Sequence, residues 1–415
     1  MTVPETSGVF DADRLAQCVQ CGFCLSSCPT YELTHLEEYG PRGRILAMRL
    51  IEEGELSIDD PDVRDSLETC VQCRACEAVC PSLVEFGSLM ETARAEIAER
   101  QPPSGLRGVA HRIGFASLRR PAVLRAGAML LSVAQLLRLD VVLPRRARPR
   151  HRVSLRQLLR PVAASAPAAR AAAEASLAAR GDAFLFRGCV MDVLFRDVHL
   201  AVADVLTALG YTVRTDVAPP CCGALQAHSG RESEAHGMAE ATVAAYTGTE
   251  GPIVVDSAGC GGAMKEYGKL LGTDEARAFS ARIVDLAELV DAEELARRGH
   301  DVGMRAAYQA PCHLKNVQRA ADGQRALLAA VPGLELLEPD DEQLCCGSGG
   351  IYSMEQPELG DAMLERKDAS LRRTGAKVVI SGNPGCSMQI ARTGWEVVHP
   401  AQVLARALVP DRPTR

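Results

Sequence analysis

The sequence predicts an α+β multidomain protein, in which a helical N-terminal domain is followed by two repeated α/β domains that each contain a parallel sheet. The 415 residues are too many for one core of ordinary size, and the 47% hydrophobic content can fill two or three. Eight of the sixteen cysteines precede residue 81, and the other eight lie between Cys189 and Cys386. From residue 183, short β-rich runs alternate with helical runs, and this pattern occurs twice. We therefore expect four segments: 1–100, 101–180, 181–300 and 301–415.

Two cysteine motifs in the first segment carry the most specific chemical signal. Residues 18–29 have the spacing C-x2-C-x2-C-x3-C-P, and residues 70–81 repeat it. Three cysteines in such a tight loop reach three irons of one four-iron cluster, whereas the fourth lies beyond the turn and serves the other cluster. The pair therefore predicts two 4Fe-4S clusters with crossed ligands. The first ligand set is Cys18, Cys21, Cys24 and Cys80, and the second ligand set is Cys70, Cys73, Cys76 and Cys28.

A pair of zinc sites is the alternative interpretation of these eight cysteines. Zinc sites usually contain two cysteine pairs, rather than three evenly spaced cysteines followed by Cys-Pro. Two clusters held in this way have no open coordination position. The N-terminal domain is therefore expected to relay single electrons and not to convert a substrate.

The segment between the two motifs, residues 40–56, is predicted to be helical because its apolar residues recur with a helical period. Arg42 and Arg44 in this segment would either donate hydrogen bonds that stabilise a reduced cluster or be ordinary surface arginines. The apolar residues are Ile45, Met48, Ile51 and Leu56.

The second segment, residues 101–180, is strongly basic, with fifteen arginines, no lysine and only Asp140 and Glu174 as acids. Apolar residues interleaved with arginine over 113–143 suit an amphipathic helix that attaches to an anionic membrane face or to an acidic subunit. A solvated helical linker with one buried face is the alternative, and the alanine-rich run over 161–180 is predicted to be a linker or a loose helix. The longest uncharged run, 126–137, is too short to cross a bilayer, so no transmembrane helix is predicted.

Each α/β repeat carries four cysteines at matched positions: one after the first strand, two in a Cys-Cys-Gly triplet, and one after a later strand. The loops that follow parallel strands form the binding crevice of such a sheet, so four thiols per copy can converge there. Gly223 and Gly347 are expected to allow the backbone turn after each cysteine pair. The cysteines are Cys189, Cys221, Cys222 and Cys260 in the first repeat and Cys312, Cys345, Cys346 and Cys386 in the second.

These eight thiols could bind a further cluster, bind zinc or act as redox thiols, and the sequence leaves those alternatives open. Small buried hydrophobic residues are the simpler alternative, but two matched sets of four fit that interpretation poorly. His313, directly after Cys312, would be a ligand, a proton donor or a hydrogen-bonding residue at a helix start, and we favour the last of these roles.

Composition limits the remaining function classes. The net charge of −7 and the pI near 5.8 describe an acidic protein, which argues against nucleic acid as a partner. The N-terminal residues show no basic start followed by an apolar run, so no export signal is predicted. Regularly spaced cysteines in a reducing compartment usually bind metal, which makes the cytoplasm the expected location.

Several motifs together resemble the iron-sulfur subunit of glycolate oxidase, a family with two ferredoxin-type motifs and two cysteine-rich CCG domains. Besides the doubled motif, the resemblance rests on GPRGRI at 40–45, PCHL at 311–314, CCGSGGIYS at 345–353 and GNPGC at 382–386. It implies a helical bis-4Fe-4S ferredoxin-type domain followed by two parallel-sheet CCG domains. Relatives of the heterodisulfide reductase type often end each repeat with C-x-x-C. Neither repeat of this chain ends in that way, so the non-cubane cluster of those relatives is not carried over.

The resemblance also implies partners. A separate FAD-binding subunit would oxidise a 2-hydroxy acid such as glycolate, and this chain would pass the electrons towards quinone, at the cytoplasmic face of the inner membrane if it is peripherally attached. FAD is expected only on the partner, since this chain has no GxGxxG dinucleotide motif. The alternatives are an iron-sulfur subunit of a D-lactate or glycerol-3-phosphate dehydrogenase, and a heterodisulfide-reductase-like enzyme that acts at the CCG site.

Overall fold

The computed structural model describes residues 8–139 and 179–409, which form two compact units. Residues 140–160 of the basic connector and nearly all of the predicted alanine-rich linker lie outside the described residues. The first unit consists of 8–112, 223–236 and 343–369. The second unit consists of 113–139, 179–222, 237–342 and 370–409.

The N-terminal cysteine domain is helical, as predicted. Three of its six described α-helices begin with a proline in the first turn, where the missing N–H costs nothing. Its helices are α1 Ala12–Ala16, α2 Pro29–Thr34, α3 Pro41–Glu52, α4 Pro61–Glu68, α5 Ala75–Ala78 and α6 Phe86–Arg100. Two helices of the basic connector follow, α7 Gly105–Leu118 and α8 Pro121–Leu136.

Helix α3 confirms the predicted helical segment between the motifs but is shorter than predicted. Its apolar residues Ile45, Met48 and Ile51 are buried in the core of the first unit, as their spacing indicated. The helix ends at Glu52, close to Gly54, whose φ of +75° is a conformation that favours glycine. Leu56 therefore lies beyond the helix, where it still packs against the same core.

The first α/β repeat contains a four-stranded parallel sheet with the strand order β2-β1-β3-β4. Its strands are β1 Asp182–Leu185, β2 Thr212–Arg214, β3 Ile253–Val254 and β4 Ile283–Val284. The helices over this part of the chain are α9 Val190–Leu194, α10 Arg196–Ala208, α11 Ala224–His228, α12 Glu232–Ala245, α13 Ala258–Lys265, α14 Tyr267–Leu271, α15 Asp274–Ser280 and α16 Ala292–Arg298. A 3-10 helix spans Leu286–Leu289.

The second repeat has the same topology, with four parallel strands in the order β6-β5-β7-β8. Its strands are β5 Met304–Tyr308, β6 Leu334–Leu337, β7 Val378–Ile380 and β8 Glu396–Val398. A π-helical turn spans His313–Val317, and the helices are α17 Ala321–Ala329, α18 Tyr352–Glu355, α19 Pro357–Arg373, α20 Pro384–Ala391 and α21 Pro400–Leu408. The fold class predicted from the sequence is confirmed.

Both sheets belong to the second unit and share one hydrophobic core. The central strands β1, β3, β5 and β7 contribute buried residues such as Leu185 and Ile380. Helix α10 is buried on nearly every side and packs along α21, and eight of its thirteen residues are apolar. In the described part of the chain, no helix is long and apolar enough to cross a membrane.

Candidate iron-sulfur sites

The two cysteine motifs form two loops that have the same backbone conformation. Gln20 and Gly22 of the first motif have φ values of +57° and +84°, and the matching residues Gln72 and Arg74 of the second have +54° and +57°. Residues other than glycine rarely adopt this left-handed conformation, so its occurrence at matching positions reflects a shared demand of the loop. At Arg74 the guanidinium also pairs with Glu77 at 2.7 Å, which holds the turn.

The first ligand set lies around one cavity near the surface. Cys18, Cys21, Cys24 and Cys80 all line this cavity, together with Cys76 of the second set and apolar neighbours such as Phe23. Cys21 is exposed and the other three thiols are half-buried. Burial is the main cause that raises the pKa of the Cys24 thiol to about 11, and the nearby Cys18 and Cys21 contribute to this rise. The structure therefore brings together the four cysteines that were predicted to share a cluster.

The second ligand set is fully buried. Cys28, Cys70, Cys73 and Cys76 each expose less than a tenth of their surface. Burial is the main cause that raises the pKa of Cys76 well above its ordinary value, and Cys73, Cys70 and Cys28 each raise it further. These mutual effects place Cys28, from the first motif, among the three cysteines of the second. That is the crossed grouping, although ligation by these residues stays a prediction.

Arg44 is the charged neighbour of the second ligand set. Its side chain is fully buried, and Nη1 lies 4.0 Å from the Sγ of Cys28. The guanidinium also donates hydrogen bonds to the Ser66 carbonyl, at 2.7 Å, and to the hydroxyls of Thr30 and Thr69. Arg44 is therefore not a surface arginine, and its stabilisation of a reduced cluster stays a prediction.

Arg42 has the surface role. Its guanidinium pairs with Glu37 at 2.6 Å in a partly exposed position. It also donates a hydrogen bond to the Gln20 carbonyl at 3.2 Å, so it braces the first motif from its surface. Arg42 is therefore a surface arginine that supports a loop and is not a buried neighbour of a thiol.

A second loop of the first unit covers the second ligand set, and the sequence did not reveal it. Tyr352 is buried, and its hydroxyl donates a 3.0 Å hydrogen bond to the Thr69 carbonyl, next to Cys70. Gly349 packs so closely that a Cβ there would lie 2.8 Å from Val71 Cγ2. Both residues belong to the CCGSGGIYS sequence, in which the sequence analysis assigned roles only to the two cysteines and to Gly347.

Cys345 begins the same loop and is a neighbour of the second ligand set. Burial raises the pKa of Cys73 well above its ordinary value, and the charge of Cys345 is the next cause. The Cys345 sulfur accepts a hydrogen bond from the N–H of Gly347 at 3.4 Å. Gly347 has a φ of +75° and Gly223 one of +76°, which confirms that each Cys-Cys-Gly triplet needs its glycine.

The four cysteines of the first repeat converge, as predicted from the strand order. Cys189 and Cys221 lie with their sulfurs 3.5 Å apart. Hydrogen bonds with Cys221 and Cys260, followed by burial, raise the pKa of Cys222 well above its ordinary value. Among the described residues, no group of three or more cysteine, histidine, aspartate or glutamate side chains is arranged to hold a single metal ion. What the four thiols bind is therefore left open.

The second repeat divides its cysteines between the two units. Cys345 and Cys346 belong to the first unit, whereas Cys312 and Cys386 belong to the second. Asn383 Nδ2 donates to the Cys386 sulfur at 3.5 Å. His313 begins the π-helical turn, and its Nδ1 lies 3.5 Å from the sulfur of Cys312, so its role as a hydrogen-bonding residue at a helix start stays a prediction.

A buried histidine network, which the sequence did not reveal, supports the first repeat's cysteine loops. His199 Nδ1 lies 2.6 Å from the Asp256 carboxylate, and Nε2 lies 2.9 Å from the Arg187 carbonyl. Arg187 precedes Cys189 by two residues and Asp256 precedes Cys260 by four, so one imidazole connects both loops. Burial acts to lower the pKa of His199, but the Asp256 carboxylate outweighs it and the pKa is raised.

His399 completes this network from the other repeat. Its Nδ1 accepts the N–H of Ala401 and so caps α21, which leaves Nε2 to donate a 3.0 Å hydrogen bond to the Asp256 carbonyl. Burial lowers the pKa of His399, consistent with a neutral ring that both accepts and donates. The His-Pro dipeptide before α21 is the only sequence signal of this network, and it indicates a helix start.

Comparison with known proteins identifies the domain families that this chain matches. The chain matches the 4Fe-4S dicluster domain family over residues 14–84 and the cysteine-rich domain family CCG twice, over 183–265 and 306–391. The chain therefore carries an iron-sulfur dicluster domain. A donor set made only of closely grouped cysteines, four at the cavity and four buried, fits such clusters.

Three relatives show how far the similarity extends. The chain is 32% identical to the probable glycolate oxidase iron-sulfur subunit of Bacillus subtilis, over 96% of this chain and 95% of the relative. It is 30% identical to the glycolate oxidase iron-sulfur subunit of Escherichia coli, over 97% of each chain. Lactate utilization protein A of Oceanobacillus iheyensis is 30% identical over 53% of this chain and 95% of its own length. The chain thus belongs to the family of glycolate oxidase iron-sulfur subunits.

Proposed function

We propose that this chain relays electrons within a complex that oxidises glycolate or a related 2-hydroxy acid, from an FAD-binding subunit towards quinone. The grouping of Cys28 with Cys70, Cys73 and Cys76, and of Cys80 with Cys18, Cys21 and Cys24, is the observation that carries the proposal. Each group supplies four thiols, which leaves a cluster no open position for a substrate. The complex would lie in the cytoplasm, at the cytoplasmic face of the inner membrane.

The chain's own residues would perform three tasks in this role. The two ligand sets would hold the 4Fe-4S clusters, whose chemistry is reversible one-electron transfer. Arg44 would offset the negative charge that a reduced cluster adds beside Cys28. Exposed apolar residues beside the first ligand set, Val19, Phe23 and Leu83, would offer a surface for the redox partner.

The four segments expected from the sequence fit this role as a division of labour. The segment 1–100 would hold both clusters, 101–180 would attach the chain, and 181–300 and 301–415 would supply the two CCG sites. The name of the relatives speaks of a subunit, which supports a complex with a separate flavin subunit that would hold the only FAD.

Lactate is the second candidate substrate, because the similarity to lactate utilization protein A includes about half of the chain. A reductase activity at the first repeat is a further candidate, since Cys189, Cys221, Cys222 and Cys260 converge there. Such an enzyme would reduce a disulfide without any flavoprotein, whereas a relay subunit would not.

The first test is anaerobic purification, followed by iron, sulfide and zinc counts and by paramagnetic resonance of the reduced protein. About eight irons per chain are expected from the two ligand sets, and about twelve or more would add a cluster in the repeats. A colourless protein with zinc and no sulfide would refute the relay.

The second test assigns the donor. The purified chain is mixed anaerobically with its flavin partner and either glycolate or D-lactate, and the appearance of the reduced-cluster signal is followed. Reduction by glycolate supports the proposal, and reduction by D-lactate alone favours the second candidate. Phe23→Ser should slow the reduction without changing the iron count, whereas Leu270→Ser, an exposed leucine of the second unit, should not slow it.

A further inference from the structure

Helix α8 presents an apolar face that no described residue covers. Along one side, Val123, Ala126, Leu130, Val133 and Leu137 follow the helical period and are all exposed, and we call these five residues the outer stripe. Leu130 exposes 73% of its surface, and Leu136 at the helix end exposes 82%. The outer stripe contains no charged residue, which is unusual for the exposed face of a helix.

The opposite face of α8 is fixed to the first repeat. Ala128 is buried against Val193 of α9, with Leu124 and Leu131 packed around this contact. Arg125 adds an ion pair with the buried Asp192 at 2.6 Å. Because the inner face is held by both apolar packing and an ion pair, α8 has no free rotation that would turn the outer stripe inwards.

The charges around the outer stripe have one sign. Arg119 and Arg120 precede the helix, and Arg138 follows it. The sequence contains no acidic residue between Glu99 and Asp140. An apolar face with arginines at both ends and no acids matches a surface whose interior is hydrocarbon and whose headgroups are negative.

We propose that α8 lies in the plane of an anionic membrane surface, with the outer stripe inserted among the acyl chains and the three arginines at the phosphate level. A helix of 16 residues is about 24 Å long, less than the roughly 30 Å of bilayer hydrocarbon, so its length suits a position along the surface. A protein surface would also cover an apolar stripe, but the arginines at both ends favour lipid phosphate.

This attachment rests on the proposed membrane location of the complex and specifies the residues and the lipid chemistry behind it, but it does not depend on any cluster. It has a consequence for the first repeat. Helix α9, on which α8 rests, begins directly after Cys189, so the cysteines of the first repeat would lie one helix away from the membrane surface. An electron acceptor dissolved in the membrane would then lie close to that repeat and would not have to leave the bilayer to reach it.

The test is sedimentation of the full chain with lipid vesicles. Anaerobically purified protein is mixed with vesicles of phosphatidylglycerol and phosphatidylcholine at a ratio of about one to three, or with phosphatidylcholine alone. The natural chain should bind the anionic vesicles, and high salt should weaken the binding. The combined variant V123Q, L130Q and L137Q, which we call the stripe variant, should bind these vesicles at least about tenfold more weakly. Each of the three apolar side chains would add to the free energy of transfer from water into the membrane.

Two controls separate lipid binding from other effects. Met354→Gln changes an equally exposed apolar residue of the first unit and should leave vesicle binding unchanged. The combined variant Arg119→Gln, Arg120→Gln and Arg138→Gln should lose the preference for anionic vesicles. Circular dichroism and the iron count of every variant must match those of the natural chain.

The proposal is overturned if the stripe variant binds anionic vesicles as tightly as the natural chain. It is also overturned if the stripe variant keeps vesicle binding but no longer copurifies with the flavin subunit, since the stripe would then be a protein interface. Neither result bears on the electron relay, which the reduction assay tests separately.

Discussion

The two ligand sets have the same cysteine spacing and the same loop conformation, yet the protein gives them opposite surroundings. The first set lines a surface cavity, with Cys21 exposed and Phe23 exposing 69% of its surface. The second set is buried with a fully buried arginine beside it. A motif therefore specifies which residues can hold a cluster, whereas packing decides how solvent, partners and charge reach it.

This contrast predicts different properties for two clusters with identical ligand types. Solvent exposure and hydrogen bonds to the sulfurs are among the factors that set a cluster's reduction potential. The exposed set is suited to exchange electrons with another protein. The buried set, with a cation and a covering tyrosine, is suited to hold its electron within the chain. Substitutions at matched positions in the two sets can break or sharpen this comparison.

The largest effect is expected from Cys73→Ser in the second ligand set. A buried hydroxyl is a poor replacement for a thiolate, so the variant should lose one cluster, about four irons, and its electron throughput. Iron analysis and paramagnetic resonance of the reduced protein measure the loss. Cys222→Ser is the control and should keep both N-terminal clusters. If Cys222→Ser also bleaches the N-terminal signals, the division between relay and repeats is wrong.

A smaller but still large effect is expected from Arg44→Met. The change leaves the Ser66 carbonyl and two threonine hydroxyls without their buried donor, so the free energy of unfolding should fall by about 3 kcal/mol. The reduction potential of the second cluster should also fall, because a positive charge that favours the reduced form is gone. Anaerobic denaturant unfolding and a redox titration measure the two effects.

Arg42→Met is the matched control at the first ligand set. Its pair with Glu37 is partly exposed and screened by solvent, so the loss of stability should be much smaller than for Arg44→Met. If the two variants lose equal stability, burial of the arginine makes no difference to the free energy of unfolding.

The next effect concerns the loss of iron. An oxidant or chelator reaches the exposed Cys21 before it reaches the buried thiols of the second set, so the first cluster should be lost several-fold faster. Iron release should then have two phases of about equal amplitude. Resonance spectra taken between the phases should show one cluster signal remaining. A single phase would mean that opening of the whole domain, and not local exposure, limits the release.

The sequence predicted the fold class well because it depends on local patterns. The strand and helix pattern predicted two parallel sheets, whereas the crossed ligand sets that the cysteine spacing indicates stay a prediction. The helical period at Ile45, Met48 and Ile51 correctly indicated a buried face. Each of these signals is contained in a short stretch of chain.

The surroundings of the sites could not be predicted because they depend on residues far apart in the sequence. Tyr352 hydrogen-bonds to a carbonyl 283 residues away, and His199 reaches Asp256 across 57 residues. Nothing near either residue indicates such a partner.

The smallest effect is expected from Tyr352→Phe, which tests whether the loop over the second ligand set is held by its hydroxyl. Phenylalanine keeps the buried ring but removes the 3.0 Å hydrogen bond to the Thr69 carbonyl, so the free energy of unfolding should fall by about 1 kcal/mol. Tyr39→Phe is the control, since it removes a hydrogen bond to Asp65 at the surface and should cost less than about 0.5 kcal/mol. A larger loss at Tyr39, or release of iron from the second set no faster in Tyr352→Phe than in the natural chain, would show that apolar packing alone seals the buried site.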